Sequence, residues 1–144
     1  VSAAASARVN IIGSSVAQCS ADLNGGGVAA GESARISITS SNFTQCSAVH
    51  ASGGGVSALG AHVSISSSNF TQCSANIGGG GVIVSNNSFV NISNSLFEAC
   101  EASFGGCIDV GHGNVSVFGS IFTRCQATIT GGAILVERVT EGDA

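Results

Sequence analysis

Apolar and polar residues alternate along this chain in short stretches, and the stretches return on a fixed period. One set runs Val28/Ala30, Val56/Ala58, Val82/Val84, Ile108/Val110 and Ile134/Val136; a second runs Val9/Ile11, Ile36/Ile38, Val63/Ile65, Val90/Ile92 and Val115/Val117. Between the members of the second set stand Asn10, Ser37, Ser64, Asn91 and Ser116, all polar. Period-two alternation marks strands with one face turned inward and the other toward water. No stretch sustains a 3.6-residue apolar period over three turns, so no helix is expected.

A third segment fixes the repeat length. Asn42-Phe43-Thr44-Gln45-Cys46-Ser47-Ala48 recurs as Asn69-Phe70-Thr71-Gln72-Cys73-Ser74-Ala75, with looser copies around Cys19, Cys100 and Cys125. The cysteines at 19, 46, 73, 100 and 125 are spaced 27, 27, 27 and 25 residues apart. Glycine clusters follow each of them: Gly25-Gly26-Gly27, Gly53-Gly54-Gly55, Gly79-Gly80-Gly81, Gly105-Gly106 and Gly131-Gly132. A period of this size denotes a solenoid. Strands this short hold together only when equivalent strands stack, about 4.8 Å apart, into parallel ladders. The expected fold is all-β: a parallel β-helix of about five coils spanning residues 1–144 as one segment, with a phenylalanine column begun by Val16 and a cysteine column beside it. Without a polar cap at either end, it reads as part of a longer solenoid, its terminal stretches Val1 to Ala7 and Val139 to Ala144 the least protected.

Composition narrows the function classes. Of 144 residues 44% are hydrophobic and only 8% charged, with 21 glycines and no Lys, Pro, Met, Trp or Tyr. The net charge is −4, and the four arginines, Arg8, Arg35, Arg124 and Arg138, look scattered, which leaves no basic stripe for a nucleic acid. No apolar run is long enough to span a membrane. The glycine clusters lack the helix start and lysine of a phosphate-binding loop, so they read as corners.

The Gly-Gly-small-apolar clusters, with Gly131-Gly132-Ala133-Ile134 the fullest match, alternate with Phe-x-x-small segments. This pattern resembles the Gly-Gly-Ala-Ile and Phe-x-x-Asn repeats of polymorphic outer-membrane proteins and related surface adhesins, right-handed β-helices of the pectin-lyase-like type. Cys46, Cys73, Cys100 and Cys125 stand where that family has Asn. The resemblance implies a right-handed coil, in keeping with the general hand of parallel crossovers. It also implies an extended module of a secreted or cell-surface protein.

Candidate chemistry is sparse. Cys19, Cys46, Cys73, Cys100 and Cys125 either form a buried thiol ladder or pair between coils, since one coil's rise lies inside disulfide range; Cys107 falls outside that ladder. Cys-x-x-Cys metal spacing is absent. His50, His62, His112, Asp22, Asp109, Glu32, Glu98 and Glu101 are the groups able to carry acid-base chemistry. Only Glu98, Glu101 and Arg124 fall near one another in the coil layout, which an exposed ion pair explains equally well. No catalytic, cofactor or metal residue is assigned. Asn42, Asn69, Asn86, Asn91 and Asn114 begin Asn-x-Ser/Thr sequons and are candidate acceptors for N-glycans.

The expected function is therefore non-enzymatic: a rigid shaft or adhesin-like module, extracellular or at the cell surface, needing no cofactor. Its expected partners are flanking coils, another copy end to end, glycans or other surface proteins. An ice- or surface-binding solenoid and a polysaccharide lyase or hydrolase are the alternatives.

Overall fold

In the computed structural model, which describes residues 1–137, the chain winds as a parallel β-solenoid of about five coils. Each coil contributes one strand to each of four parallel sheets. The first sheet stacks Ser2–Ala3, Val28–Ala30, Val56–Leu59, Val82–Ser85, Ile108–Val110 and Ile134–Val136. The second stacks Arg8–Ile12, Arg35–Thr39, His62–Ser66, Ser88–Ser93 and Gly113–Phe118. The third holds Ser15–Ala17, Asn42–Thr44, Asn69–Thr71, Leu96–Glu98 and Ile121–Thr123. The fourth holds Ser20–Ala21, Ser47–Ala48, Ser74–Ala75, Glu101–Phe104 and Gln126–Thr130. No helix occurs among the described residues.

Every strand meets its counterpart one repeat away, so Val63 lies between Ile36 and Val90, and Phe70 between Phe43 and Phe97. The interior is consequently built in columns. Phe43, Phe70, Phe97 and Phe122 stack nearly parallel, with centroid separations of 4.7, 4.8 and 5.0 Å. Val56, Val63, Ile65, Phe70 and Cys73 are buried, Ser64 and Asn69 are exposed, and Thr71 is half-buried on the outer side. Burial does not extend to every coil, however. Val16, Cys19, Val115, Phe122 and Cys125 are half-buried, and Val117, Ile134 and Val136 are exposed. These residues belong to the first and last coils, where a column has a neighbour on one side only.

The fourth sheet divides what the sequence presents as one phenylalanine-to-cysteine segment. The corner between the third and fourth sheets is a left-handed residue on every coil: Gln18, Gln45, Gln72, Ala99 and Arg124, with φ between 51° and 53°. A second corner follows the same rule at Gly13, Ser40, Ser67, Asn94 and Gly119. Left-handed φ costs a non-glycine residue roughly 1–2 kcal/mol. Here it is offset because the corner amides also bond between coils, as Gln45 N–H does to the Thr71 carbonyl at 2.9 Å. The glycine corner is different in kind. A Cβ on Gly55 would lie 2.7 Å from the Phe70 ring, so the phenylalanine column can lie flat only against a backbone without side chains.

Candidate functional site

Four side-chain ladders, of serine, cysteine, asparagine and glutamine, run along the solenoid, and the serine ladder is the one buried polar column among them. Ser14, Ser41, Ser68, Ser95 and Ser120 recur at the cysteines' own spacing. The backbone N–H groups of Ser14, Ser41, Ser68 and Ser95 each donate to the hydroxyl oxygen of the serine one coil on, at 3.1 to 3.2 Å. Each hydroxyl in turn donates to the carbonyl two residues earlier, at 2.8 Å for Ser68 and Ser95. Ser41, Ser68 and Ser95 are buried with both roles filled. Their common 27-residue spacing was the available signal.

The cysteine column is a hydrogen-bonded thiol ladder for most of its length. Cys46, Cys73 and Cys100 are free and buried, and Cys19 is free and half-buried. Their thiols are directed at carbonyls: Cys73 Sγ lies 3.6 Å from the Phe43 oxygen and Cys100 Sγ 3.5 Å from the Phe70 oxygen. Hydrogen bonding to Cys100 and then Cys46, followed by burial, pushes the Cys73 thiol far above its ordinary range. Such a thiol stays protonated and unreactive at neutral pH. Cys125 leaves the ladder. It is bonded to Cys107, with a Cα–Cα distance of 5.5 Å, rather than to a cysteine of its own column. Cys107 occupies the glycine-corner position equivalent to Gly81, whose missing side chain would point at the phenylalanine column. On this coil the side chain at that position is buried and closes onto Cys125.

The candidate acid-base groups are dispersed. Glu98 and Arg124 form an exposed ion pair on the third-sheet side. A pair of this kind contributes about 0–1 kcal/mol. Glu101 stands on the fourth sheet beside Ser74 and Gln126. An open groove of about 550 Å³ runs along that sheet over Ser47, Ser74, Glu101 and Thr128. Asp109 lies on the outer side of the first sheet between Ile83 and Leu135, where burial and then the charge of Glu137 raise its pKa. His50 is exposed in the loop after Cys46, its backbone N–H donating to the Asp22 carbonyl at 3.0 Å. Glu32 and His112 sit exposed at corners. Among the described residues, no three His, Cys, Asp or Glu side chains are grouped as a metal site.

All five sequon asparagines are exposed. Asn42 and Asn69 are stacked, Asn69 Nδ2 donating to Asn42 Oδ1 at 3.0 Å, so this column also serves as an amide ladder on the third sheet. Gln18, Gln45 and Gln72 form a second amide ladder at the adjoining corner, with contacts of 3.4 Å. Asn86 is in a tight turn with positive φ, whereas Asn91 and Asn114 lie on outward positions of the second sheet.

The second sheet corrects the description of the arginines as scattered. Arg8 and Arg35 are one repeat apart and directly opposed in the ladder, and His62, Phe89 and Asn114 continue their column. Comparisons with family models, curated proteins and solved structures found no match for the chain. No helix of the described chain is long and apolar enough to cross a membrane.

Proposed function

We propose that this chain is a rigid segment of a secreted or cell-surface protein, a structural and interaction module that works by presenting ladder faces rather than by turnover. The observation that supports it best is the continuity of all four sheets, in register from coil to coil, with stacked phenylalanine, serine and cysteine columns inside. A cross-section held at every corner and along every column resists bending, which is what a shaft requires. The repeat resemblance favours the same reading, as a right-handed pectin-lyase-like module of the adhesin type. The Cys107–Cys125 disulfide fits an oxidising compartment. N-glycans on Asn42 or Asn69 and on Asn86 would add the polar surface that a chain with 8% charged residues lacks. Partners of such a segment are further coils, another copy end to end, or molecules bound on its faces.

Force spectroscopy on the reduced protein, pulled from its two termini, tests the shaft. Each 27-residue coil holds roughly 90 Å of contour. Release in discrete steps of that size is expected. Featureless extension at low force, or liberation of reducing ends from a polysaccharide by the same preparation, would overturn the reading.

A further inference from the structure

The groove along the fourth sheet is flanked by apolar side chains that the fold leaves uncovered. On the interior coils, which have a neighbour on either side, three large apolar residues are exposed among those described: Val49, Ile77 and Phe89. Val49 is 47% exposed and lines the groove, and Ile77, 46% exposed, directly follows Asn76, another lining residue. Their exposure is therefore no effect of an open end. The same segment of the first and last coils adds Leu23 and Ile129, both exposed.

These side chains are evenly placed. Leu23, His50, Ile77, Phe104 and Ile129 each stand four positions after the ladder cysteine of their coil. The exposed aliphatic ones thus fall on the first, third and fifth coils, about 10 Å apart along the axis. Beside them the groove is lined by small residues, Ser47, Ala48, Ser74, Ala75 and Ala102. A ridge of large side chains next to a trough of small ones, both on the period of the coil, is complementary to a second copy of itself. The sequon asparagines lie elsewhere, on the second and third sheets and in the turn at Asn86, so glycans on them would leave this face bare.

We propose that this face is the contact between two copies of the chain, packed side by side and antiparallel. Charge selects the orientation. Two copies running the same way would set Asp22 against Asp22 and Glu101 against Glu101, and like charges opposed across an interface are costly. A two-fold axis through the third coil instead brings Leu23 to Ile129, Ile77 to Ile77 and Glu101 to the coil of Ser47. Asn76 meets its own copy there, and an amide both donates and accepts. A stable contact takes about 800 Å² from each partner, roughly one ninth of this molecule's 7012 Å², and one long face of a four-sheet rod presents more than that share. The pairing goes beyond the shaft reading, since a rod that stays single would still unfold coil by coil.

Sedimentation equilibrium over a wide concentration series tests it. A reversible monomer–dimer equilibrium that stops at the dimer is expected, because a two-fold contact closes on itself. Ile77→Ser, at the centre of the contact, should weaken dimerisation about tenfold or more. Ile12→Ser with Phe118→Ser, exposed apolar positions of the second sheet on the first and last coils, should leave it unchanged. Orientation is read by cross-linking in a Cys19→Ser background: Asp22→Cys and Thr128→Cys proteins, mixed and oxidised, should link to each other and neither to itself. A protein that stays monomeric throughout the series would overturn the proposal. So would a dimer that Ile77→Ser leaves intact, growth beyond the dimer that Ile12→Ser with Phe118→Ser abolishes, or self-linking of the Asp22→Cys protein.

Discussion

Cys107 is bonded to Cys125 from a position that glycine occupies on the three preceding coils, at Gly27, Gly55 and Gly81. On those coils the space in front of the glycine is filled by the ring of Phe43, Phe70 or Phe97. On the last coil Phe122 is only half-buried, and a disulfide takes over part of the closure.

The disulfide should therefore stabilise the end of the solenoid where packing is weakest. Closing a loop of 18 residues is worth about 3 kcal/mol in the chain-entropy account. Replacing Cys107 and Cys125 together with alanine should lower the urea-derived stability by about 2–4 kcal/mol. Alkylation followed by mass spectrometry of the native protein should label Cys19 first, leave Cys46, Cys73 and Cys100 unlabelled until denaturation, and find Cys107 and Cys125 linked.

Phe70 touches an aromatic ring above and below and is 0% exposed. Phe70→Ala should cost about 3–5 kcal/mol, as other deletions of buried aromatic side chains do. The adjacent Thr71, on the outer side of the same strand, should lose no more than about 0.5 kcal/mol on change to alanine. Urea titration of the two variants separates them. A large loss from Thr71→Ala would mean that the threonine positions carry structural weight.

Ser68 accepts the Ser41 amide and donates to the Ser66 carbonyl. Ser68→Ala leaves that amide buried without a partner and should cost about 1–3 kcal/mol. Ser64→Ala, four residues earlier but exposed on the second sheet, should be nearly neutral. Equal effects in a urea titration would show that the serine column is not a ladder.

Asp109 supplies the pH dependence. Burial and the nearby Glu137 raise its folded pKa above the value in the unfolded chain. The folded state thus holds the proton more tightly, so this group's contribution is fully present below the unfolded pKa and is lost as pH rises through the folded one. Asp109→Asn keeps the neutral shape. Relative to the Asn variant, the unsubstituted protein should lose stability between acid and neutral pH, read as the difference in urea midpoint. A difference that does not change with pH would remove the assigned burial effect.

The parts of this fold that were legible in the sequence are those that recur as residue types. Alternation in Val63-Ser64-Ile65 assigns inward and outward faces, and the repeated Phe43 and Phe70 declare a column, because a two-residue period and a fixed repeat leave few other ways to bury apolar surface. What stayed hidden depends on backbone conformation or on identity changing within a column. Gln45 and Ser67 adopt left-handed φ, a conformation usually marked by Gly or Asn, so nothing in their chemistry announced a corner. Ser41 and Ser68 look like loop polarity until their spacing is set beside that of Cys46 and Cys73. Cys107 breaks a glycine column, and its bond to Cys125 needs the cross-section of the coil, which no linear spacing contains. Arg8 and Arg35 passed as scattered because only two members of their column are alike. The expectation for Val139 to Ala144 lies outside the described residues.

Native-state hydrogen exchange on the monomeric protein tests the central claim, that stability is distributed coil by coil along one in-register stack. Interior coils are bonded on both sides and terminal coils on one. The slowest amides should be those of Ile36–Ile38, Val63–Ile65 and Val90–Ile92, with protection falling toward Ser2–Ala3 at one end and Ile134–Val136 at the other. Protection that is uniform from Ser2 to Val136, or strongest in a terminal coil, would contradict the account.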